Sequence, residues 1–330
     1  MRVWPPTNVV LAPLAGGPST PELVAAVSNA GGLGFLAAGY LSAEAFAEQL
    51  ARTRALTEAP FGVNVFVLEP QAVDDRAVAA YATELEPDAR RLGVELGTPR
   101  FDDDELDGKV DVAVAAHVPV VSTTFSPPPA PLVERVHGYG GAVWPTVTSA
   151  DEARAAAALG ADALVVQGAE AGGHRGTWDD RDDDAALLQL LDEIGRAVDL
   201  PLVAAGGIAG AVDTRAALAA GARAVQAGSA FLLAPEAGTS APHRSALEAG
   251  GETSVTRAFT GRRARGIVNG FMRAHRDAPS AYPHVHHLTS PLRAAARAAG
   301  DADGINLWAG TRHAGAARLP AAEIVERLRA

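Results

Sequence analysis

The sequence predicts a mixed α/β fold, a (β/α)8 TIM barrel with a smaller helical accessory segment or lid. Three observations carry this reading. Eight apolar runs of strand length alternate with helical patterns up to about residue 235, the runs are nearly unbroken in apolar residues, and glycine or proline stands at most of the joints. Unbroken apolar runs suit parallel strands covered on both faces, and strict alternation of strand and helix is the pattern of a closed parallel barrel. A chain of 330 residues holds one barrel of about 250 residues with extensions.

Taken in order, the strands are read in NVVLAPLAG, LGFLAAG, FGVNVFV, VPVVSTTF, AVWPTVT, ALVVQGAE, PLVAAGGI and AVQAGSAFLL. Between them stand the helical patterns PELVAAVSNAG, SAEAFAEQLARTRAL, a longer stretch from about Asp75 to Val114, PLVERVHGYG, SADEARAAAALG, DAALLQLLDEIGRAV and AVDTRAALAAG. Ser42, Ser149 with Glu152 three residues on, and Asp213 mark helix starts. Residues 1–235 are assigned to the barrel, 236–304 to the accessory segment, and 305–330 to a C-terminal segment ending in the amphipathic helix AAEIVERLRA. The acidic insert FDDDELDGK falls outside the repeat, and Lys109 within it, the only lysine, is expected to be solvated rather than a nucleophile.

Composition excludes several classes of function. Thirty-nine acidic against 28 basic residues give a net charge of -11, which repels a polyphosphate backbone, so nucleic acid is not expected as a partner. The absence of cysteine removes disulfides, thiolate nucleophiles, zinc-thiolate sites and iron–sulfur clusters. The N-terminal MRVWPPTNVV lacks a signal-peptide pattern and apolar runs such as VAVAAHVPVV fall short of a membrane span, so a cytoplasmic protein is expected.

The candidate chemistry gathers at strand ends. GLGFLA matches G-x-G-x-x-A, but a helix precedes it and a strand follows, the reverse of a pyrophosphate loop, so its glycines are read as a helix stop and a turn. AAGGI and VQAGSAF close the last two strands, where barrels commonly hold phosphate: Gly207 and Gly228 let backbone N–H groups approach an anion and Ser229 adds a hydroxyl. Asn64 and Gln167 place amides on the third and sixth strands, each needing a hydrogen-bond partner in a neighbouring strand or a ligand, and Gln226 poses the same question.

His174 follows Gly172 and Gly173 in QGAEAGGHRG, on a loop where barrel active sites sit. It is read as a proton acceptor or, as a cation, an anion holder. Glu170 is either a second carboxylate of the site or, more simply, a partner of an arginine such as Arg175. His284, His286 and His287 in PHVHHL have no framework for a metal and are read as a solvated or substrate-facing loop. GRRARG, with Arg262, Arg263 and Arg265, is either a receptor for an anionic group or an arginine-rich surface turn.

These segments together resemble the nitronate monooxygenase family, formerly called 2-nitropropane dioxygenases: FMN enzymes on a (β/α)8 barrel with a helical accessory domain. The resemblance rests on LAPLAGG, VSNAGGLGFLAAG, GVNVFV, QGAEAGGHRG, AAGGI, QAGSAF, TRAFTGRRARGIVN and NLWAG, which run in the family's order from Leu11 to Gly310. It implies FMN as cofactor, contacted by Asn64, Gln167, Gly172, Gly207, Gln226, Ala227, Gly228 and Ser229, with the backbone of Pro13, Leu14, Ala15 and Gly16 against the isoalloxazine ring. It implies His174 as the catalytic residue and no metal.

The implied reaction is oxidation of an alkyl nitronate, such as propionate 3-nitronate, by dioxygen to a carbonyl compound and nitrite through an anionic flavosemiquinone, and the family leaves a homodimer open. The sequence departs from the family's frequent WAG-glutamine at Thr311, followed by Arg312 and His313. FMN-dependent NAD(P)H enoyl-acyl-carrier-protein reductases share the barrel, VSNAGGLG and a glycine-glycine-histidine motif and form the alternative reading. A flavin-binding protein without turnover is the second alternative.

Overall fold

The computed structural model describes residues 4–182 and 184–330. All eight expected strands form one parallel barrel. In chain order they are β1 (Val9–Leu11), β2 (Phe35–Ala37), β3 (Gly62–Phe66), β4 (Val120–Thr124), β5 (Ala142–Val147) and β6 (Leu164–Gln167), then, after a short strand outside the barrel, β7 (Gly173–His174), β8 (Leu202–Ala205) and β9 (Ala224–Ala227). Neighbours run β1-β9-β8-β6-β5-β4-β3-β2. The ring closes where Leu33, just ahead of β2, bridges Val10, with Leu11 N to Leu33 O and Leu33 N to Val9 O both at 3.0 Å.

Apolar residues on both faces of the strands explain the unbroken runs. One set fills the barrel: Val10, Leu33, Phe35, Val120, Trp144, Val165 and Val203. The alternate set, including Val9, Leu11, Val63, Val121, Val143 and Val166, packs against the surrounding helices. Helix starts follow local chemistry, since Ser42 accepts from Ala45 N and Ser149 from Glu152 N. Asp213 works differently from a helix cap, its carboxylate accepting from Ala209 N in the preceding turn. Gly34 in GLGFLA is required by close packing: a Cβ there would stand 2.4 Å from the Val24 carbonyl oxygen. This fits its reading as part of a tight helix-to-strand turn.

A second apolar cluster covers the barrel's C-terminal end, and its composition cuts across the expected boundary at residue 235. The stretch from Asp75 to Val114 divides into helices Asp75–Leu92 and Leu106–Ala115, the first stopped by Gly93 in the left-handed region. Val78, Tyr81 and Leu85 on the first helix pack with Phe259, Phe271, Val285 and Leu288 rather than against the barrel. The same unit contains an antiparallel sheet of β10 (Thr253–Thr256), β11 (Ala264–Ile267) and β7, in the order β10-β11-β7. The helix Ala321–Leu328 closes the chain, burying Ala321, Ile324, Val325 and Leu328 in the main core.

Lys109 corrects the expectation of a solvated lysine. It is fully buried, with Nζ 2.7 Å from Asp104 Oδ2. The helix that carries it lays Val110 and Ala113 on the core, which draws the intervening chain inward. Burial pushes the Asp104 carboxyl up to about 6, against the pull of the Lys109 charge. Asp104 Oδ1 also accepts from Tyr40 N at 2.9 Å, so the buried pair fixes the turn after β2.

Candidate active site

A cleft of about 460 Å³ opens at the C-terminal ends of the barrel strands, beneath the accessory unit. Strand register prepares its floor. Gln167 lies opposite Ala205, and Ala205 opposite Gln226, which puts these two amides in one row, while Asn64, flanked by Ala37 and Ser122, reaches the same cleft from β3. The thirteen residues singled out by the sequence all line this cleft: Pro13, Leu14, Ala15, Gly16, Asn64, Gln167, Gly172, His174, Gly207, Gln226, Ala227, Gly228 and Ser229.

Their roles separate once the hydrogen bonds are counted. Asn64 Nδ2 donates to Ser122 Oγ at 2.8 Å and Thr124 Oγ1 at 3.1 Å, tying β3 to β4. Gln167 is occupied within the protein at both ends: Nε2 donates to His174 O at 3.0 Å, and Oε1 accepts from Gly176 N at 2.8 Å and Arg175 Nη1 at 3.0 Å. It is an anchor for the loop that carries His174. Gln226 is the opposite case, with Oε1 buried and without a partner among the described residues. Ser229 Oγ accepts from Gly310 N at 2.9 Å, which docks the C-terminal segment on the end of β9.

Gly172 serves the same docking. A Cβ there would lie 2.4 Å from Gly310 N and 2.5 Å from the Ala309 carbonyl carbon, so only glycine lets the two backbones pass. Thr311 N donates to Glu170 O at 3.0 Å, and Gly310, Arg312 and His313 line the cleft, whereas Thr311 is exposed and does not. The departure from the family pattern therefore places no side chain in the cleft at position 311.

His174 lies on β7, opposite Ala264 of β11, so GRRARG and QGAEAGGHRG meet in one sheet. Its Nε2 is 2.9 Å from Thr260 Oγ1, and the rings of Trp308, Phe125 and Tyr282 surround it at 5.5, 5.8 and 5.8 Å between centroids. Burial first, and then the charges of Arg262 and Arg293, push its pKa down to about 3. Both effects favour the neutral imidazole, and so the proton acceptor over the cationic anion holder. Arg262 spreads over the Phe125 ring at 4.3 Å and donates to the carbonyls of Arg175 and Thr177, and neither it nor Arg293 forms an ion pair among the described residues.

Other expectations are corrected here. Glu170 lines the cleft but does not pair with Arg175, its carboxylate accepting instead from Leu187 N at the start of helix Leu187–Ala197. Arg175 instead pairs with Asp184 at 3.1 Å and donates to Gly168 O at 2.7 Å. GRRARG is not a surface turn: Arg262 and Arg263 are buried, Arg263 is paired with Asp184, and Arg265 donates to Ala169 O at 3.0 Å. None of the three lines the cleft.

His284, His286 and His287 are helical rather than in a loop, opening the helix His284–Ala298. His286 stacks on Tyr40 at 4.3 Å and its Nδ1 lies 3.2 Å from Arg293 Nη2, while His287 reaches Asp102 at 3.6 Å. No group of three or more histidine or acidic side chains is arranged to hold a metal among the described residues.

Sequence reasoning missed Tyr40, Phe125, Thr146, His243, Asn306 and Trp308, which also line the cleft. Tyr40, Phe125 and Thr146 follow or end barrel strands, and that position was a usable signal. His243 and Asn306 arrive from the accessory unit and the C-terminal segment, where nothing local marks them.

Comparison with known proteins agrees with this arrangement. A family model described as nitronate monooxygenase matches residues 4–330. A nitronate monooxygenase of Pseudomonas aeruginosa is 38% identical over 97% of this chain and 94% of its own length. Among solved structures, a nitroalkane oxidase from Streptomyces ansochromogenes superimposes with a TM-score of 0.95 at 48% identity, covering 98% of this chain and 95% of the other. FabK from Thermotoga maritima gives 0.77 at 26% identity, over 97% and 91%. With the whole chain matched, the conclusion is direct: this protein belongs to the nitronate monooxygenase family.

Proposed function

We propose that the chain is an FMN-dependent enzyme that oxidises alkyl nitronates, propionate 3-nitronate among the candidates, with dioxygen to a carbonyl compound and nitrite. The observation that carries the reading is a histidine, His174, set in an aromatic surround between a glycine-bordered cleft and two arginines without ion-pair partners among the described residues. The residues fit a flavin mononucleotide. Gln226 supplies a buried amide oxygen that lacks a donor, and the backbone at Gly207, in the left-handed region, and at Gly228 is bare beside Ser229, as a phosphate site at the last two strands requires. Pro13 to Gly16 offer a strand end poor in side chains for a flat ring.

A bound flavin would supply the redox centre that exchanges electrons with substrate and dioxygen. The protein's part is to bind, orient and protect. Phe125, Tyr282 and Trp308 keep the surroundings of His174 apolar, which strengthens electrostatic interactions there. Arg262 and Arg293 favour negative charge near the ring, and the neutral imidazole accepts a proton from a substrate carbon when a neutral nitroalkane binds in place of the nitronate. FMN-loaded protein is expected to consume dioxygen and release nitrite when given propyl-2-nitronate, and to leave NADPH unoxidised. NADPH oxidation driven by an enoyl thioester, with no nitrite from the nitronate, would replace this reading with an enoyl reductase.

A further inference from the structure

The Thr260 hydroxyl has more polar neighbours than protons. His174 Nε2 lies 2.9 Å from Oγ1, the Arg262 carbonyl oxygen 3.3 Å and the Arg262 amide nitrogen 3.4 Å, and Thr260 is buried. A threonine hydroxyl offers one proton and two lone pairs. The Arg262 carbonyl can only accept and its amide can only donate. One arrangement satisfies all three: the hydroxyl proton goes to the carbonyl, and the amide N–H and an Nε2–H both point at Oγ1. Were the hydroxyl to donate to Nε2 instead, the Arg262 carbonyl would lose this partner inside the protein.

We propose that Thr260 is a positioning residue that holds His174 as its Nε2–H tautomer, which makes Nδ1 the atom that meets substrate as hydrogen-bond acceptor and base. No hydrogen bond within the described residues reaches Nδ1, and the ring is partly open to the cleft. The inference rests on the reading of the site as nitronate chemistry. With a neutral nitroalkane, the bond from the carbon beside the nitro group to hydrogen breaks, the proton passes to Nδ1, and the electron pair stays on the substrate as the nitronate. The resulting imidazolium keeps its Nε2–H on Thr260 Oγ1. That acceptor supports the positive ring against the repulsion of Arg262 and Arg293, the charged groups that act on it, with Tyr282 and Trp308 bounding its sides.

Histidine-selective 15N labelling of the FMN-loaded protein reads the tautomer through long-range ring couplings, with the His174 signals assigned by their loss in His174→Gln. The Nε2–H pattern is expected in the wild type and in Thr260→Ser. The isosteric Thr260→Val should shift the ring toward Nδ1–H. In kinetics, Thr260→Val should lower kcat/KM for a neutral nitroalkane by about 30-fold or more, while turnover of the preformed nitronate changes by less than about threefold and Thr260→Ser restores both.

An Nδ1–H tautomer in the wild type, equal losses on the two substrates, or no rescue by serine would overturn the proposal. If Thr260→Val does not fold, the wild-type tautomer and the serine variant decide. The tautomer is read whether or not any nitro compound is turned over, so the role of Thr260 stands or falls separately from the nitronate chemistry.

Discussion

His174 and Gln167 were both legible as polar residues at a strand end, yet their jobs differ in ways that only the hydrogen bonds reveal. Gln167 spends both ends of its amide on the loop from His174 to Gly176, so it acts on the cleft by fixing the imidazole beside it. Gln167→Leu keeps the volume and strands those partners. Since an unpaired buried polar group costs about 1–3 kcal/mol, the variant should lose about 2 kcal/mol or more, read as a fall in thermal midpoint. His174→Ala should keep flavin binding and lose turnover of a neutral nitroalkane by about a hundredfold or more, the typical cost of removing a positioned proton acceptor. Unimpaired turnover in that variant would take His174 out of the reaction. The charge state of His174 was beyond the sequence because it is set first by burial and then by Arg262 and Arg293, which come from the accessory unit and are far from it in the chain.

The elements that build the cleft divide into those with periodic patterns and those without. The barrel strands and most of their helices follow from apolar runs and glycine joints, because each element buries its own periodic face. The strand β7 and the helix His284–Ala298 do not. Two residues paired with β11 leave no periodicity to read, and PHVHHL is held in a helix by Val285, Leu288 and Leu292 facing the second cluster. The same tertiary context makes Gly172 indispensable, since the segment at Ala309 and Gly310 crosses it closer than any side chain permits. Gly172→Ala should displace that segment and weaken flavin affinity by about tenfold or more, measured by quenching of flavin fluorescence on titration. Unchanged affinity would mean that the segment is not needed to close the cofactor site.

Over the whole molecule, acid should be destabilising. Burial holds His174 at about 3, His243 at about 4 and His286 at about 2, against an ordinary 6.5. Below pH 6.5 the unfolded chain binds protons that the folded chain refuses at these three sites, so stability falls as pH drops through the window from 6.5 toward 4. Asp104 works in the other sense: its carboxyl, raised from 3.8 to about 6, holds a proton that the unfolded chain has released between those values, and it returns some stability on acidification. Three groups outweigh one. At pH 5 each histidine costs on the order of 2 kcal/mol relative to pH 7 and Asp104 returns about 1, so the urea midpoint should fall markedly. A flat midpoint from pH 7 to pH 5 would contradict the buried neutral histidines.

The central claim concerns which donor reduces this flavin site, and the barrel cannot decide it, because one fold hosts many chemistries. The most direct measurement is anaerobic visible spectroscopy of the FMN-loaded protein, mixed separately with an alkyl nitronate and with NADPH. Prompt loss of the oxidised-flavin spectrum with the nitronate, and none with NADPH, is the predicted result. Bleaching by NADPH with an inert nitronate would contradict it.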